Sequence, residues 1–183
     1  MRMKTAAAVL LALAAAGARA GDQDFYYKDF YLGMPLGDFK TTFGDEATLT
    51  GDGTYAYAGY ADEGVELVFA DVLGSPRLTS ITVNAVVDYA EEVLPTLVDL
   101  YGEPEYDSRW VPAHTDCNDG AAPVRSASWF PGVDVDLTMT ALENFEGPEP
   151  PAGSEVECRF ELADGSERDG PHPWLEKKLG PRD

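Results

Sequence analysis

One loop concentrates the side chains that could bind a metal or perform acid–base chemistry: His114, Asp116, Cys117, Asn118 and Asp119. A calcium loop needs the pattern D-x-[DN]-x-[DN]-G and a distant glutamate. The run D-C-N-D-G over 116–120 is one residue short of that pattern and lacks the glutamate. A polar turn explains this loop better, so we predict no metal and no cofactor.

Hydrolytic chemistry would need a nucleophile, a base and a group that orients the base. The chain has two histidines, and His172 lies between prolines near the C-terminus. The base would therefore be His114, but the sequence contains no G-x-S-x-G elbow, no phosphate-binding loop and no G-x-G-x-x-G. We predict a protein without catalytic residues, and the alternative is a small periplasmic hydrolase with its site near His114.

The two cysteines, Cys117 and Cys158, have no C-x-x-C spacing. In an oxidising compartment the default for such a pair is one disulfide, which here would join the loop 112–123 to the last strand. A redox or metal-binding pair is the functional alternative.

Three tyrosines in the run T-Y-A-Y-A-G-Y form the candidate binding surface: Tyr55, Tyr57 and Tyr60. If these rings are exposed on a strand, they favour a protein-binding role, because tyrosine is enriched at interfaces. A cleft that joins His114 to a serine or a carboxylate would favour the hydrolase.

The N-terminal segment is typical of a signal peptide. Residues 1–20 have a basic start, an apolar run and an A-x-A cleavage pattern at Ala18-Arg19-Ala20. The apolar run is too short for a permanent membrane span. We therefore predict that the mature chain begins at Gly21, is periplasmic or secreted, and has no integral membrane segment.

The charge is strongly acidic. Basic residues number 13 and acidic residues 33, for a net charge of −20. The predicted signal peptide contains three bases and no acid, so 10 basic and 33 acidic residues remain, a net charge of −23. Such a charge disfavours nucleic acid and anionic membranes. It favours a cationic partner, divalent metals, or simply a solvated acidic surface that keeps the protein soluble in salt.

Two short amphipathic helices are expected to organise the fold. In the first, Leu32–Gly44, Pro35 suits a helix start, Leu36, Phe39 and Phe43 share one face, and Gly44 is expected to end the helix in a left-handed conformation. The second is expected to begin near Asp88 and end at Gly102, with a kink or restart at Pro95.

Alternating apolar and polar residues predict strands between and after the helices, at 54–60, 65–72, 78–87, 106–111, 124–130, 133–141 and 156–162. The fold class is therefore α+β: a degenerate duplication of α-β-β-β units, with two helices packed on one face of an antiparallel sheet. Residues 21–163 form one domain, and 164–183 are expected to be a partly disordered tail.

The stretch L-G-M-P-L-x-x-F-x-x-x-F-G over 32–44 resembles the first helix of a group of small exported bacterial domains. The group includes beta-lactamase inhibitory protein and the small outer-membrane lipoprotein A domain. The second helix, ending Tyr101-Gly102-Glu103-Pro104, looks like that of many relatives. The resemblance covers Phe30 to Leu142 and implies helices on one face of an antiparallel sheet, with a non-catalytic role in binding protein or supporting the envelope.

Two features depart from that group. The lipid-anchored members start with a modified cysteine, which this sequence lacks, and the inhibitor has disulfides in both repeats, whereas both cysteines here lie in the second half. The specific inhibitory activity is therefore not carried over, and no binding residue of the group can be placed.

Overall fold

The computed structural model describes residues 25–89, 93–113, 115, 120, 122–165 and 170–181. Within them the chain forms three α-helices and ten β-strands. The order is β1 (Tyr26–Tyr27), β2 (Phe30–Tyr31), α1 (Leu36–Phe43), β3 (Ala47–Gly51), β4 (Thr54–Tyr57), β5 (Glu63–Val72), β6 (Ser75–Asp88), α2 (Val93–Tyr101), β7 (Tyr106–Asp107), β8 (Val124–Trp129), β9 (Asp134–Ala141), β10 (Glu155–Ala163) and α3 (Pro173–Leu179). None of the helices in this described part is long and apolar enough to cross a membrane.

Eight of the strands form one antiparallel sheet in the order β3-β4-β5-β6-β10-β9-β8-β7, while β1 and β2 form a separate hairpin. Each half of the sheet is a meander of four consecutive strands. The halves meet where β10 pairs with β6 along its length, from Glu155 opposite Asp88 to Ala163 opposite Ser80. The prediction of an α+β chain with a large antiparallel sheet is confirmed.

One face of the sheet, here called the inner face, is a continuous apolar surface. Residues that pair with one another across neighbouring strands form a line over the sheet, here called a register row. One such row crosses six strands and consists of buried side chains only: Tyr55, Leu67, Ile81, Leu162, Val135 and Trp129. Because side chains alternate along a strand, the neighbouring residues in each strand point to the opposite, outer face. The sequence alternation had predicted this division.

Backbone hydrogen bonds to the start of β6 hold α1 in place. The Gly33 N–H donates to the Leu78 carbonyl at 2.7 Å, and the Leu78 N–H donates to the Met34 carbonyl at 2.9 Å. The ring of Phe39, fully buried, then contacts Tyr55 and Phe69 on the inner face, with centroids 5.2 and 5.0 Å away. Helix α1 is thus tied to the sheet by main-chain bonds and by two aromatic side chains, since the Phe43 ring also lies 5.8 Å from that of Tyr57, centroid to centroid.

The end of α1 differs from the prediction. Gly44 has φ −59°, a right-handed value, and the chain continues into a 3₁₀ turn over Gly44–Glu46. That turn leads directly into β3, an edge strand that the sequence pattern did not predict. A left-handed glycine would instead reverse the chain.

Strand β6 extends to Asp88, and the described residues of the second helix, α2, begin at Val93. Residues 90–92 lie outside the described part, so the predicted start near Asp88 and the kink or restart at Pro95 stay predictions. The predicted stop is confirmed, since Gly102 has φ +85° and its N–H donates to the Val98 carbonyl.

The expected loose tail from Asp164 is folded over residues 170–181. Helix α3 buries Leu175 completely, and the N–H groups of Trp174 and Leu175 donate to the Asp164 carboxylate at 3.1 and 2.7 Å. His172, also buried, places its Nδ1 against the Asp164 carbonyl oxygen. One aspartate at the end of β10 therefore caps a helix that starts nine residues later.

Candidate functional site

The predicted tyrosine surface does not exist as an exposed patch. Tyr55 and Tyr57 are only 9% and 7% exposed, and Tyr60 is half-buried against the same cluster. Tyr55 packs on Phe39, while Tyr57 packs on Phe30 with centroids 5.0 Å apart. The expectation of exposed binding rings is therefore wrong, because these rings face inward beneath α1 and the β1–β2 hairpin.

Hydrogen bonds further occupy two of these tyrosines. The Tyr57 hydroxyl donates to Glu46 at 2.7 Å, and the Tyr60 hydroxyl donates to Asp29 at 2.8 Å. Burial and then the bond to Glu46 raise the pKa of Tyr57 to about 12. Both hydroxyls are therefore protonated donors at neutral pH, and they anchor the hairpin and the 3₁₀ turn.

The chemistry loop around His114 lies outside the described residues, as do the predicted signal peptide and Cys117. Cys158, the partner of Cys117 in the predicted disulfide, is buried on the inner face. Burial, followed by the nearby Glu157 charge, raises the pKa of its thiol to about 12. A reduced Cys158 would therefore be a poor nucleophile at neutral pH, and the disulfide stays a prediction.

The outer face of the sheet carries charged and polar side chains in neighbouring rows. One register row crosses five strands through Glu66, Thr82, Glu161, Asp136 and Ser128. The adjoining rows add Asp134 and Glu157, which are acidic, and Arg159, which is basic. These rows therefore contain five carboxylates and one guanidinium.

Like charges lie directly opposite each other on this face. Glu161 on β10 is paired in register with Asp136 on β9, a cross-strand position where two carboxylates repel. Burial raises the pKa of Asp134, and the charges of Asp136, Asp164 and Glu161 raise it further. Two polar contacts offset part of the repulsion: Ser128 donates to Asp136, and Arg159 pairs with Glu161 at 3.2 Å.

These charges are accessible to a partner. Glu66, Glu157 and Arg159 are exposed, while Asp134, Asp136 and Glu161 are half-exposed. Among them lies an apolar side chain, Val86, which is 54% exposed and stands opposite Glu157. The outer face therefore combines net negative charge with an exposed apolar side chain.

The alternation in the sequence contained part of this site. The run V-D-V-D-L had predicted that Asp134 and Asp136 point away from the core, and they do. The approach of Glu161 was missed, because β10 lies between β6 and β9 and this order follows from no local pattern.

Comparison with protein-family models, with curated proteins and with solved structures found no match, so the functional argument depends on the geometry of the outer face.

Proposed function

We propose that this chain is an exported, non-enzymatic domain that binds a protein with a basic surface through the outer face of its sheet. The observation that carries the proposal is the row Glu66, Thr82, Glu161, Asp136 and Ser128, in which the accessible carboxylates of Glu161 and Asp136 oppose each other and Glu66 is exposed beyond the buried Thr82. A cationic partner would neutralise that repulsion on binding.

The composition of the face supports a protein partner. Protein interfaces combine polar and apolar area, with apolar contact toward the centre. Val86 supplies exposed apolar area beside Glu157, and threonine and serine side chains at 126, 138 and 140 supply hydrogen-bonding groups on the same face. A basic protein surface with an apolar centre would complement this pattern.

The sheet order supports the proposed duplication. Each half of the chain has a helix followed by strands of one meander, β3–β6 after α1 and β7–β10 after α2, and β6 pairs with β10 between them. We infer that both helices cover the inner face. The ring of Phe39 in α1 contacts that of Tyr55, and the ring of Tyr101 in α2 lies 6.5 Å from that of Trp129, centroid to centroid. Tyr55 and Trp129 belong to the same register row of the inner face.

The proposed location rests on the sequence alone. The signal-peptide pattern of residues 1–20 supports export, and an acidic face would then meet cationic proteins of the envelope or the medium. The resemblance to the group of beta-lactamase inhibitory protein agrees with a binding role and remains a hypothesis.

A capture experiment with matched variants tests the proposal. The immobilised protein is exposed to periplasmic extract and to culture medium of the source cells. A second bait carries Glu66→Lys and Glu157→Lys, which reverse two exposed charges on the outer face. A control bait carries Asp38→Lys and Asp99→Lys, which make the same charge change at exposed helical positions.

We expect a protein that the unmodified and control baits retain and the outer-face bait loses, with retention falling as salt increases. Loss from both variant baits would indicate attraction by net charge alone. Equal retention by all three baits would place the binding surface elsewhere, and either result would contradict the proposal.

A further inference from the structure

A cleft between the β1–β2 hairpin, the segment 33–35 and helix α3 differs in charge from the rest of the molecule. Its volume is about 630 Å³, within the range of about 300–1,000 Å³ that is typical of small-molecule sites. Acidic residues outnumber basic ones 33 to 13 in the chain. The residues that line this cleft nevertheless include three basic side chains, Lys28, Arg77 and Lys178, and no acidic one.

The walls of the cleft are largely apolar. Phe30, Leu32 and Leu175 are buried in its floor, while Tyr31 and Leu179 stand at its rim, 42% and 40% exposed. The segment 33–35 approaches helix α3 closely because residue 33 is a glycine. Gly33 has φ +91°, and a Cβ atom there would come within 2.9 Å of Leu175. The cleft is thus a product of the docked C-terminal helix, which the sequence alone did not predict.

The basic groups differ in how far they are already neutralised. Lys28 forms an ion pair with Glu63 at 2.6 Å, so its charge is balanced. The Arg77 guanidinium donates from one Nη1 to the Gly33 carbonyl at 3.2 Å and makes no ion pair with any carboxylate of the described residues. Lys178 also lines the cleft and lies over the Trp174 ring, 4.5 Å from its centroid.

We propose that this cleft binds an amphiphilic anion of the fatty-acid type, with its carboxylate at Arg77 and its alkyl chain against Tyr31 and Leu179. An arginine presents a planar donor fork that matches a carboxylate. An alkyl chain would remove the exposed rim side chains from water. The site is separate from the acidic outer face and does not depend on the protein-binding function.

Calorimetric titration with monomeric laurate tests the assignment. Acetate serves as the head group without a chain, and dodecyltrimethylammonium as the same chain with the opposite charge. The net charge of −20 repels anions and attracts this cation. Saturable binding of laurate to one site, with no comparable binding of acetate and weaker binding of the cation, is the expected result.

Two cleft variants and one control sharpen the test. Arg77→Gln is expected to weaken laurate binding at least tenfold, and Leu179→Ser, at an exposed position, to weaken it several-fold. Arg159→Gln, which removes an exposed arginine of the outer face, is expected to leave it unchanged. Circular dichroism checks that each variant is folded; if Arg77→Gln is not, Leu179→Ser decides alone, because that side chain is exposed.

The proposal is overturned if laurate binds no more tightly than acetate, if the cationic amphiphile binds as well as laurate, or if the folded cleft variants bind laurate like the unmodified protein.

Discussion

The two faces of the sheet belong to the same strands but differ in the chemistry of their side chains. On the inner face, every position of the row from Tyr55 to Trp129 is apolar and buried. On the outer face, Glu161 and Asp136 are directly opposed, and Asp134 lies near both charges. Burial of apolar area stabilises the fold, whereas opposed like charges destabilise it by roughly 0.2–1 kcal/mol a pair. The comparison indicates that the inner face determines stability and that the outer face keeps an arrangement that stability does not require.

The largest expected effect is on the inner face. We expect Phe39→Ala to lower the free energy of unfolding by about 3–5 kcal/mol, because it removes a fully buried ring that packs on Tyr55 and Phe69. Lys40→Ala, at the next and exposed position, should cost under about 0.5 kcal/mol. Urea melts measure both, and equal effects would mean that α1 does not dock on the sheet.

The second half of the sheet should behave in the same way if the duplication holds. Leu97 of α2 is fully buried and Asp99 is exposed. In the same urea assay, we expect Leu97→Ala to lower the free energy of unfolding by about 2–5 kcal/mol, and Asp99→Ala to lower it by under about 0.5 kcal/mol. If Leu97→Ala leaves the free energy of unfolding unchanged, the two helices are not equivalent.

Salt should stabilise the protein, with a rise of several degrees in melting temperature between low and molar sodium chloride. The net charge of −20 repels itself in the folded state, and the opposed carboxylates of the outer face add a local contribution. Salt screens exposed charges over about 10 Å at 0.1 M. A flat or falling curve by differential scanning calorimetry would show that the acids are compensated by local pairing.

The smallest effect concerns Asp134 on the outer face. Burial, with the charges of Asp136, Asp164 and Glu161, raises its pKa in the folded protein. A raised folded-state pKa means that stability is retained at low pH and decreases as pH rises through that pKa. Asp134→Asn should therefore stabilise the protein at pH 7, by under about 1 kcal/mol.

The same substitution should bring no gain near pH 3, where the carboxyl group is protonated in both states. Asp99→Asn, at an exposed position of helix α2, is the matched control. A loss of stability at pH 7, measured by urea melts at both pH values, would mean that the Asp134 charge is favourable.

The alternation of apolar and polar residues predicted several strands and the two faces of their side chains. Alternation placed β5, β6, β9 and β10 and divided their side chains into two sets. It also put Tyr55 and Tyr57 on one face, but the direction of that face depends on their pairing with Leu67 and Val65 and on the cover provided by α1. A pattern within one strand does not contain that information.

The missed elements depend on contacts between distant residues. Strand β3 has the sequence A-T-L-T-G at an exposed edge, where little apolar area is buried and no alternation is needed. Helix α3 carried local signals, with Pro173 at its first turn and Lys177-Lys178 in its last. Its stability depends on the Asp164 cap and on burial of Leu175, both set by tertiary structure.

The central claim is that the outer face is the interaction surface, and carboxyl footprinting of the captured complex tests it most directly. Carbodiimide labels accessible carboxylates, and mass spectrometry compares each site with and without the partner. We expect strong protection of Glu66 and Glu157, both exposed on the outer face, and unchanged labelling of Asp38 and Asp99 on the helices. Protection of the helical carboxylates with full labelling of Glu66 and Glu157 would contradict the account.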